Sequence, residues 1–301
     1  MNKISITTTT FGKYDNRPLT LLEGKGFNIV LNQYGRNLGK VEIIELCKNA
    51  VGIIAGTEIY DRETLEGLTG LKVISRCGTG LDNIDLRAAN RLGIKVLNTP
   101  DATTLAVAEL TVGLILNLLR KVHQMDINIR NGKWQKMMGN LLYGKSIGII
   151  GFGRIGRKVA ELLLHFGCTI QYYDLKRFDW ETGAEGVQLK DLLKTSDIIT
   201  IHVSSKDQIM GKSEFLQMKK GAWLVNVSRG GVVDEDALYQ AVKEGRLAGA
   251  ALDVFEKEPY TDNLKELENV ILTPHIGSYA KEARAEMERQ AVENLLKGLK
   301  G

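Results

Sequence analysis

The chain has 301 residues with 40 lysines and arginines against 36 aspartates and glutamates, a formal charge of +4, and only three cysteines. That length buries a large core and predicts two domains, because single cores stop growing at about 250–300 residues. The charges run along the whole chain with no basic tract, which argues against a nucleic-acid partner. Cys47, Cys77 and Cys168, odd in number and widely spaced, fit neither a disulfide framework nor a metal site and match a reducing compartment.

The N-terminus, Met1 to Ile6 and then four threonines, lacks the apolar core of a secretory signal. No run of about 18 apolar residues follows, so a cytoplasmic protein that enters no membrane is expected. Before residue 100, short apolar runs alternate with helical patterns: Phe27–Leu31, a helix from about Lys40 to Asn49, Val51–Ala55, Val73–Arg76, a helix Asp82–Leu92, and Val96–Asn98. Alternation of this kind implies parallel strands with crossover helices, Asp82 and Gly93 capping the second helix. Asn98-Thr99-Pro100-Asp101 breaks the pattern. Thr104 to about Arg130 then reads as one long apolar helix, ended by Asn131-Gly132.

From Ser146 the strand–helix pattern resumes, with strands at Ile147–Ile150, Thr169–Tyr173, Asp197–Val203, Ala222–Val227, Gly249–Leu252 and Val270–Leu272. Helices fall between them at Gln188–Lys194 and Asp234–Glu244. The six strands complete a doubly wound sheet, and an amphipathic helix, Lys281 to Leu299, is expected to cross back onto the N-terminal half.

Gly151-Phe152-Gly153-Arg154-Ile155-Gly156 lies between the first of these strands and a helix whose apolar residues, Val159, Ala160, Leu162 and Leu163, keep helical spacing. Gly151 allows the tight turn, Gly153 lets the backbone approach a pyrophosphate, and Gly156 lets helix and strand pack closely, with the helix N-terminus facing the anion. Asp174 ends the next strand at the spacing of about 20 residues where a carboxylate meets an adenosine ribose, which favours NAD. Lys176 and Arg177 stand close by.

Three later segments put polar residues at strand ends, where open α/β sheets bind ligands. Val225-Asn226-Val227-Ser228-Arg229-Gly230-Gly231 delivers an arginine whose planar fork suits a carboxylate. Asp253-Val254-Phe255-Glu256-Lys257-Glu258-Pro259 is an acidic loop, and Thr273-Pro274-His275-Ile276-Gly277-Ser278 carries a histidine. Taken singly, each is better read otherwise: the arginine as an exposed turn residue, the acidic loop as a solvated charge run and the histidine as a satisfied structural group.

In that order and downstream of the glycine fingerprint, these segments resemble the D-isomer-specific 2-hydroxyacid dehydrogenases over almost the whole chain. Arg76-Cys77-Gly78-Thr79-Gly80-Leu81-Asp82-Asn83-Ile84-Asp85 is similar to their substrate loop. Asn98-Thr99-Pro100, Val107-Ala108-Glu109-Leu110-Thr111 and Asn226 to Pro259 look most like the phosphoglycerate dehydrogenase branch. The resemblance implies two doubly wound parallel-sheet α/β domains, the second a Rossmann NAD-binding domain inserted in the first. The expected boundaries are 1–99 plus 278–301 for a flavodoxin-like substrate-binding domain and 100–277 for the NAD-binding domain.

The resemblance also implies roles. His275 is the proton acceptor or donor, Glu258 orients its ring, and Arg229 binds the substrate carboxylate and the reacting oxygen. The loop residues Arg76, Gly78, Thr79 and Gly80 take the substrate's carboxylate or distal group. Arg154 and Ile155 meet the pyrophosphate, Val203 and Ser204 line the adenine side, Ser228 borders the cofactor, and Asp253 meets the nicotinamide amide. His202 matches a frequent family histidine beside the cofactor, whereas His123 and His165 have no motif. A homodimer paired through the helix from Thr104 and around Trp134 is implied as well.

The sequence also departs from the branch. Where the family often has an arginine before and a lysine after the threonine of this segment, Ile53-Ile54-Ala55-Gly56-Thr57-Glu58 has Ile54 and Glu58, so weaker phosphate binding and repulsion from Glu58 are expected. Ser204-Ser205 replaces a proline–leucine pair. The regulatory extension of many phosphoglycerate dehydrogenases is expected to be missing beyond Gly301, and with it feedback control by serine. The expected substrate is a small D-2-hydroxy acid or 2-keto acid, first 3-phosphoglycerate, with glyoxylate/hydroxypyruvate or lactate as alternatives. An NAD(H)-sensing interaction protein or corepressor is the alternative of another class.

Overall fold

The computed structural model describes residues 1–176, 178 and 183–300. They form two compact units, Met1–Thr103 with Ser278–Gly301 (unit 1) and Thr104–Gly277 (unit 2). Both are parallel-sheet α/β domains, as the alternation of strands and helices implied. Among the described residues no helix is long and apolar enough to cross a membrane.

Unit 1 runs β1 (Lys3–Ile6), α1 (Arg17–Gly24), β2 (Asn28–Leu31), α2 (Lys40–Cys47), β3 (Ala50–Ala55), α3 (Arg62–Glu66), β4 (Val73–Arg76), α4 (Leu86–Arg91) and β5 (Lys95–Leu97). The sheet order is β2-β1-β3-β4-β5, every pair parallel, which places a switch point between β1 and β3. Alternate side chains of each strand enter opposite cores. Ile53 and Ile74 pack under Ile43, Leu65 and Ala88, while Ile4, Ile54 and Val73 pack under Leu22 and the C-terminal helix residues Met287, Ala291 and Leu295. The C-terminal helix therefore covers the N-terminal sheet, as its apolar stripe required.

Unit 2 opens with α5 (Thr104–Arg120) and α6 (Val122–Arg130) and continues through β6 (Ser146–Ile150), α7 (Arg154–Leu164), β7 (Thr169–Tyr173), β8 (Ala184–Gly186), α8 (Leu189–Thr195), β9 (Ile198–Ile201) and α9 (Lys212–Gln217). It ends with β10 (Ala222–Asn226), α10 (Glu235–Lys243), β11 (Leu247–Leu252) and β12 (Val270–Leu272); α11 (Lys281–Lys300) returns to unit 1. The order β12-β11-β10-β9-β6-β7-β8 is parallel throughout and reverses direction at β6 and β9, beside the glycine fingerprint.

Several boundaries differ from the sequence reading. The expected single helix from Thr104 to Arg130 breaks at Lys121, which adopts a left-handed φ of 54°, and the Asn117 side chain accepts from the His123 N–H at 2.9 Å, starting a new helix. The helix placed at Asp82–Leu92 begins only at Leu86, because Asp85 is the N-cap, its Oδ1 accepting from the Ala88 N–H at 2.8 Å. The second sheet has seven strands, not six: β8, a three-residue edge strand without apolar alternation, left no signal. β1 and α1 were not expected either, although Pro18 in the first turn of α1 is a helix-start signal.

Candidate active site

The fingerprint turn shows why each glycine stands where it does. Gly151 takes φ +90°, and a Cβ there would lie 2.8 Å from the Val203 nitrogen; a Cβ on Gly156 would collide with the Gly151 carbonyl oxygen. Gly153 has nothing within 4 Å of a Cβ position, so the space over the N-terminal end of α7 is open to a pyrophosphate. Arg154 and Ile155 form the first turn of that helix.

Asp174 ends β7, and its carboxylate bridges two loops. Oδ2 accepts from the Phe152 N–H at 2.7 Å and Oδ1 from the Lys176 N–H at 2.9 Å. Beside it opens a cavity of about 450 Å³ lined by Tyr173, Asp174, Lys176, Gly186 and Gln188, large enough for a nucleoside. Arg177 lies outside the described residues. Val203 and Ser204 follow β9 at the same edge of the sheet. His202, whose backbone N–H donates to the Ile150 carbonyl at 2.7 Å, pairs its Nε2 with the Thr200 hydroxyl at 2.9 Å, and burial lowers its pKa to about 3, keeping the ring neutral.

Three successive strand ends, those of β10, β11 and β12, carry the remaining candidates. After β10, Asn226 shapes the turn: its Oδ1 accepts from the Ser228 N–H at 3.0 Å and the Ser228 hydroxyl at 2.7 Å, and its Nδ2 donates to the Arg229 carbonyl at 3.1 Å. Arg229 donates from Nη1 to the Ser228 carbonyl at 2.8 Å, and Gly230 packs against the Phe255 carbonyl so closely that no side chain fits. The arginine turn and the acidic loop therefore lie against each other.

After β11, Asp253 is buried, its N–H tied to the Asn226 carbonyl. Its Oδ1 accepts from the Thr273 hydroxyl at 2.6 Å and the Ile276 N–H at 2.8 Å, and its Oδ2 from the Gly277 N–H at 2.8 Å. Three of a carboxylate's roughly four acceptor sites are thus spent on the loop after β12. Desolvation raises the pKa of Asp253, against the pull of these donors. No motif signals this bracing, because the partners lie about 20 residues away along the chain.

The braced loop presents His275 with a left-handed φ of 56°, its N–H on the Thr273 carbonyl. Its Nδ1 lies 3.0 Å from Glu258 Oε2, and the other Glu258 oxygen accepts from the Phe255 N–H at 3.1 Å. The carboxylate fixes the proton on Nδ1 and leaves Nε2 as the acceptor on an exposed ring.

The loop expected to meet substrate lies in unit 1. Gly78, at φ +143°, leaves room for the Arg76 guanidinium, which folds back to donate from Nη1 to the Cys77 carbonyl at 2.6 Å. The Gly78 N–H donates to the Thr99 hydroxyl at 2.8 Å, the Thr79 and Thr103 hydroxyls are 2.7 Å apart, and Asn98 Nδ2 donates to the Thr79 carbonyl at 2.7 Å; Gly80 follows, half-buried. Glu58 does not point into the loop's open side, as the expected repulsion would need, yet its charge still reaches Arg76. Glu58 is only 3% exposed and turns inward, accepting from the Thr7 hydroxyl at 2.9 Å and the Gly56 N–H at 3.0 Å, while Ile54 is fully buried in the core.

His123 and His165 stay apart from all of this, on the Glu268 and Glu161 carbonyls. Among the described residues no histidine, cysteine and carboxylate cluster has the makings of a metal site.

Residues 112–277 match the model of the D-isomer specific 2-hydroxyacid dehydrogenase NAD-binding domain. A D-3-phosphoglycerate dehydrogenase of Methanocaldococcus jannaschii is 42% identical over 276 residues, covering 88% of this chain, which spans only 52% of that protein's length. A hydroxypyruvate reductase of Thermotoga maritima is 42% identical, covering 87% of this chain and 89% of its own. The crystal structure of the TT0316 protein of Thermus thermophilus superposes with a TM-score of 0.92 at 34% identity, covering 99% of this chain and 97% of that one. The chain therefore belongs to the D-isomer specific 2-hydroxyacid dehydrogenase family, with its NAD-binding domain in unit 2.

Proposed function

We propose that this protein is an NAD-dependent oxidoreductase that interconverts a small D-2-hydroxy acid and its 2-keto acid. The observation that carries the reading is the His275–Glu258 pair at 3.0 Å on a loop braced by Asp253, next to the turn bearing Arg229. The nicotinamide of bound NAD supplies the hydride chemistry. In the oxidative direction His275 takes the hydroxyl proton at Nε2, and in reduction it returns that proton to the carbonyl oxygen. Glu258 holds the Nδ1 proton and stabilises the imidazolium. Arg229 binds the carboxylate and the reacting oxygen, fixing the carbon that reacts. The Thr79 and Gly80 amides of unit 1 are the proposed carboxylate receptors.

Motif resemblance and the Methanocaldococcus relative favour 3-phosphoglycerate as substrate, and the Thermotoga relative favours hydroxypyruvate. Glu58 turns inward onto the Thr7 hydroxyl and the Gly56 N–H, so its carboxylate makes no direct contact with a phosphorylated acid in this reading. Steady-state rates with a panel of 2-keto acids and either NADH or NADPH test the reading. His275→Ala and Arg229→Ala should each lower kcat/KM by about a hundredfold or more. No turnover of any acid, or undiminished rates in both variants, refutes it.

We also propose a homodimer. The segment from α6 to Tyr143 exposes Ile129, Trp134, Met138, Leu141 and Tyr143, an apolar surface that a second copy would cover. Three buried, unpaired cysteines fit residence in the reducing cytoplasm.

A further inference from the structure

At the head of α11, wholly within unit 1, a cavity of about 70 Å³ is lined by Thr10 and Tyr14 from the loop after β1 and by Ser278, Lys281, Arg284 and Met287. That is room for about two waters, or for one carboxylate or phosphate group. Arg284 is held in place there. Its Nε donates to Glu288 Oε1 at 2.8 Å, and the other oxygen of this fully buried glutamate accepts from the Gly12 N–H at 2.9 Å. Loop, carboxylate and guanidinium thus form one hydrogen-bonded assembly. A guanidinium has five donors; among the described residues no protein group accepts from Nη1 or Nη2 of Arg284, which lines the cavity.

The cavity adjoins the substrate loop. Cys77 lies in the field of both Arg76 and Arg284, and Cys77, Ile54 and Met287 share one apolar cluster. Ile54 is fully buried in that cluster and β3 offers no cation there, so Arg284 and Lys281 of α11 are the basic side chains lining this cavity. Glu288 offsets part of the charge, which makes the site one of directed donors; Lys281 and the N-terminal end of the 20-residue α11 add positive potential.

We infer that Arg284, with the Thr10 and Tyr14 hydroxyls, recognises an oxyanion at the far end of the substrate, a phosphate or a second carboxylate. The inference rests on the function proposed above. The double variant Arg284→Gln/Glu288→Gln keeps the buried pair neutral and hydrogen-bonded, and Tyr14→Phe leaves it intact. The ratio of kcat/KM for 3-phosphohydroxypyruvate to that for hydroxypyruvate should fall about tenfold to a hundredfold in the double variant and about two- to tenfold in Tyr14→Phe. Millimolar inorganic phosphate should raise the unfolding temperature of the wild type and not of the double variant. An unchanged ratio in an active double variant overturns the assignment; if the phosphate response alone disappears, a free anion occupies the site and the substrate assignment falls. If the wild type turns over no 2-keto acid, the proposed function fails separately, and a phosphate response absent from the wild type or equal in both proteins overturns the anion site by itself.

Discussion

Replacing Asp253 by asparagine tests whether the His275 loop is held by a carboxylate rather than by the strand it follows. The new amide keeps one oxygen for the Thr273 hydroxyl and the Ile276 N–H, but turns an NH2 group toward the Gly277 N–H, where Oδ2 now accepts at 2.8 Å. Two donors then face each other in a buried place, at a cost of about 1–3 kcal/mol. For a unit of this size 1 kcal/mol moves the midpoint by about 2–4 °C, so a fall of about 4–8 °C is expected for a central 2 kcal/mol. His275 holds a left-handed backbone that costs a non-glycine residue about 1–2 kcal/mol, and the loosened loop should relax from it. kcat/KM should then fall about fivefold to thirtyfold, since about 1.4 kcal/mol is a factor of ten. Thermal unfolding followed by circular dichroism and steady-state kinetics read the two effects. A midpoint within about 1 °C of wild type together with activity within about twofold would refute the bracing argument.

Glu58→Gln should stabilise the protein more at pH 8 than at pH 4. Burial raises the Glu58 pKa above its unfolded value, so its contribution is full at low pH and is lost as pH rises through the folded pKa. Urea unfolding at pH 8 and pH 4 should show a gain that vanishes in acid; an equal gain at both, or a loss at pH 8, contradicts this. Burial pushes the Cys47 thiol up to about 12 and those of Cys77 and Cys168 up to about 11. At pH 8 less than about one thiol in a thousand is thiolate, so a disulfide reagent should label none of the three within minutes in the native state and all three in denaturant. Rapid labelling of native Cys77 would show that the substrate loop opens.

The parallel character of both sheets was legible because strands buried on both faces leave continuous apolar runs such as Ile147–Ile150. The ends of elements were less so. Nothing in Arg120-Lys121-Val122 announces a helix break, since it depends on Asn117 reaching forward to the His123 N–H. At the candidate site, Gly151, Arg229, Glu258 and His275 stood out by residue type and order. Asn226, Thr273 and the bracing use of Asp253 did not, because their importance lies in hydrogen bonds between segments distant in sequence. Glu58 misled for the opposite reason: a charge in a loop reads as exposed, whereas the Thr7 hydroxyl and Gly56 amide draw it inward.

The chemistry-bearing stretches hang on a shared lattice of backbone and carboxylate bonds at three neighbouring strand ends, so a change in any one disturbs the rest. The cavity at the head of the last helix belongs to a separately packed body and shares none of those bonds. On the function and anion site proposed above, residues such as Tyr14 can be exchanged to suit a new acid while the His275–Glu258 pair is left untouched.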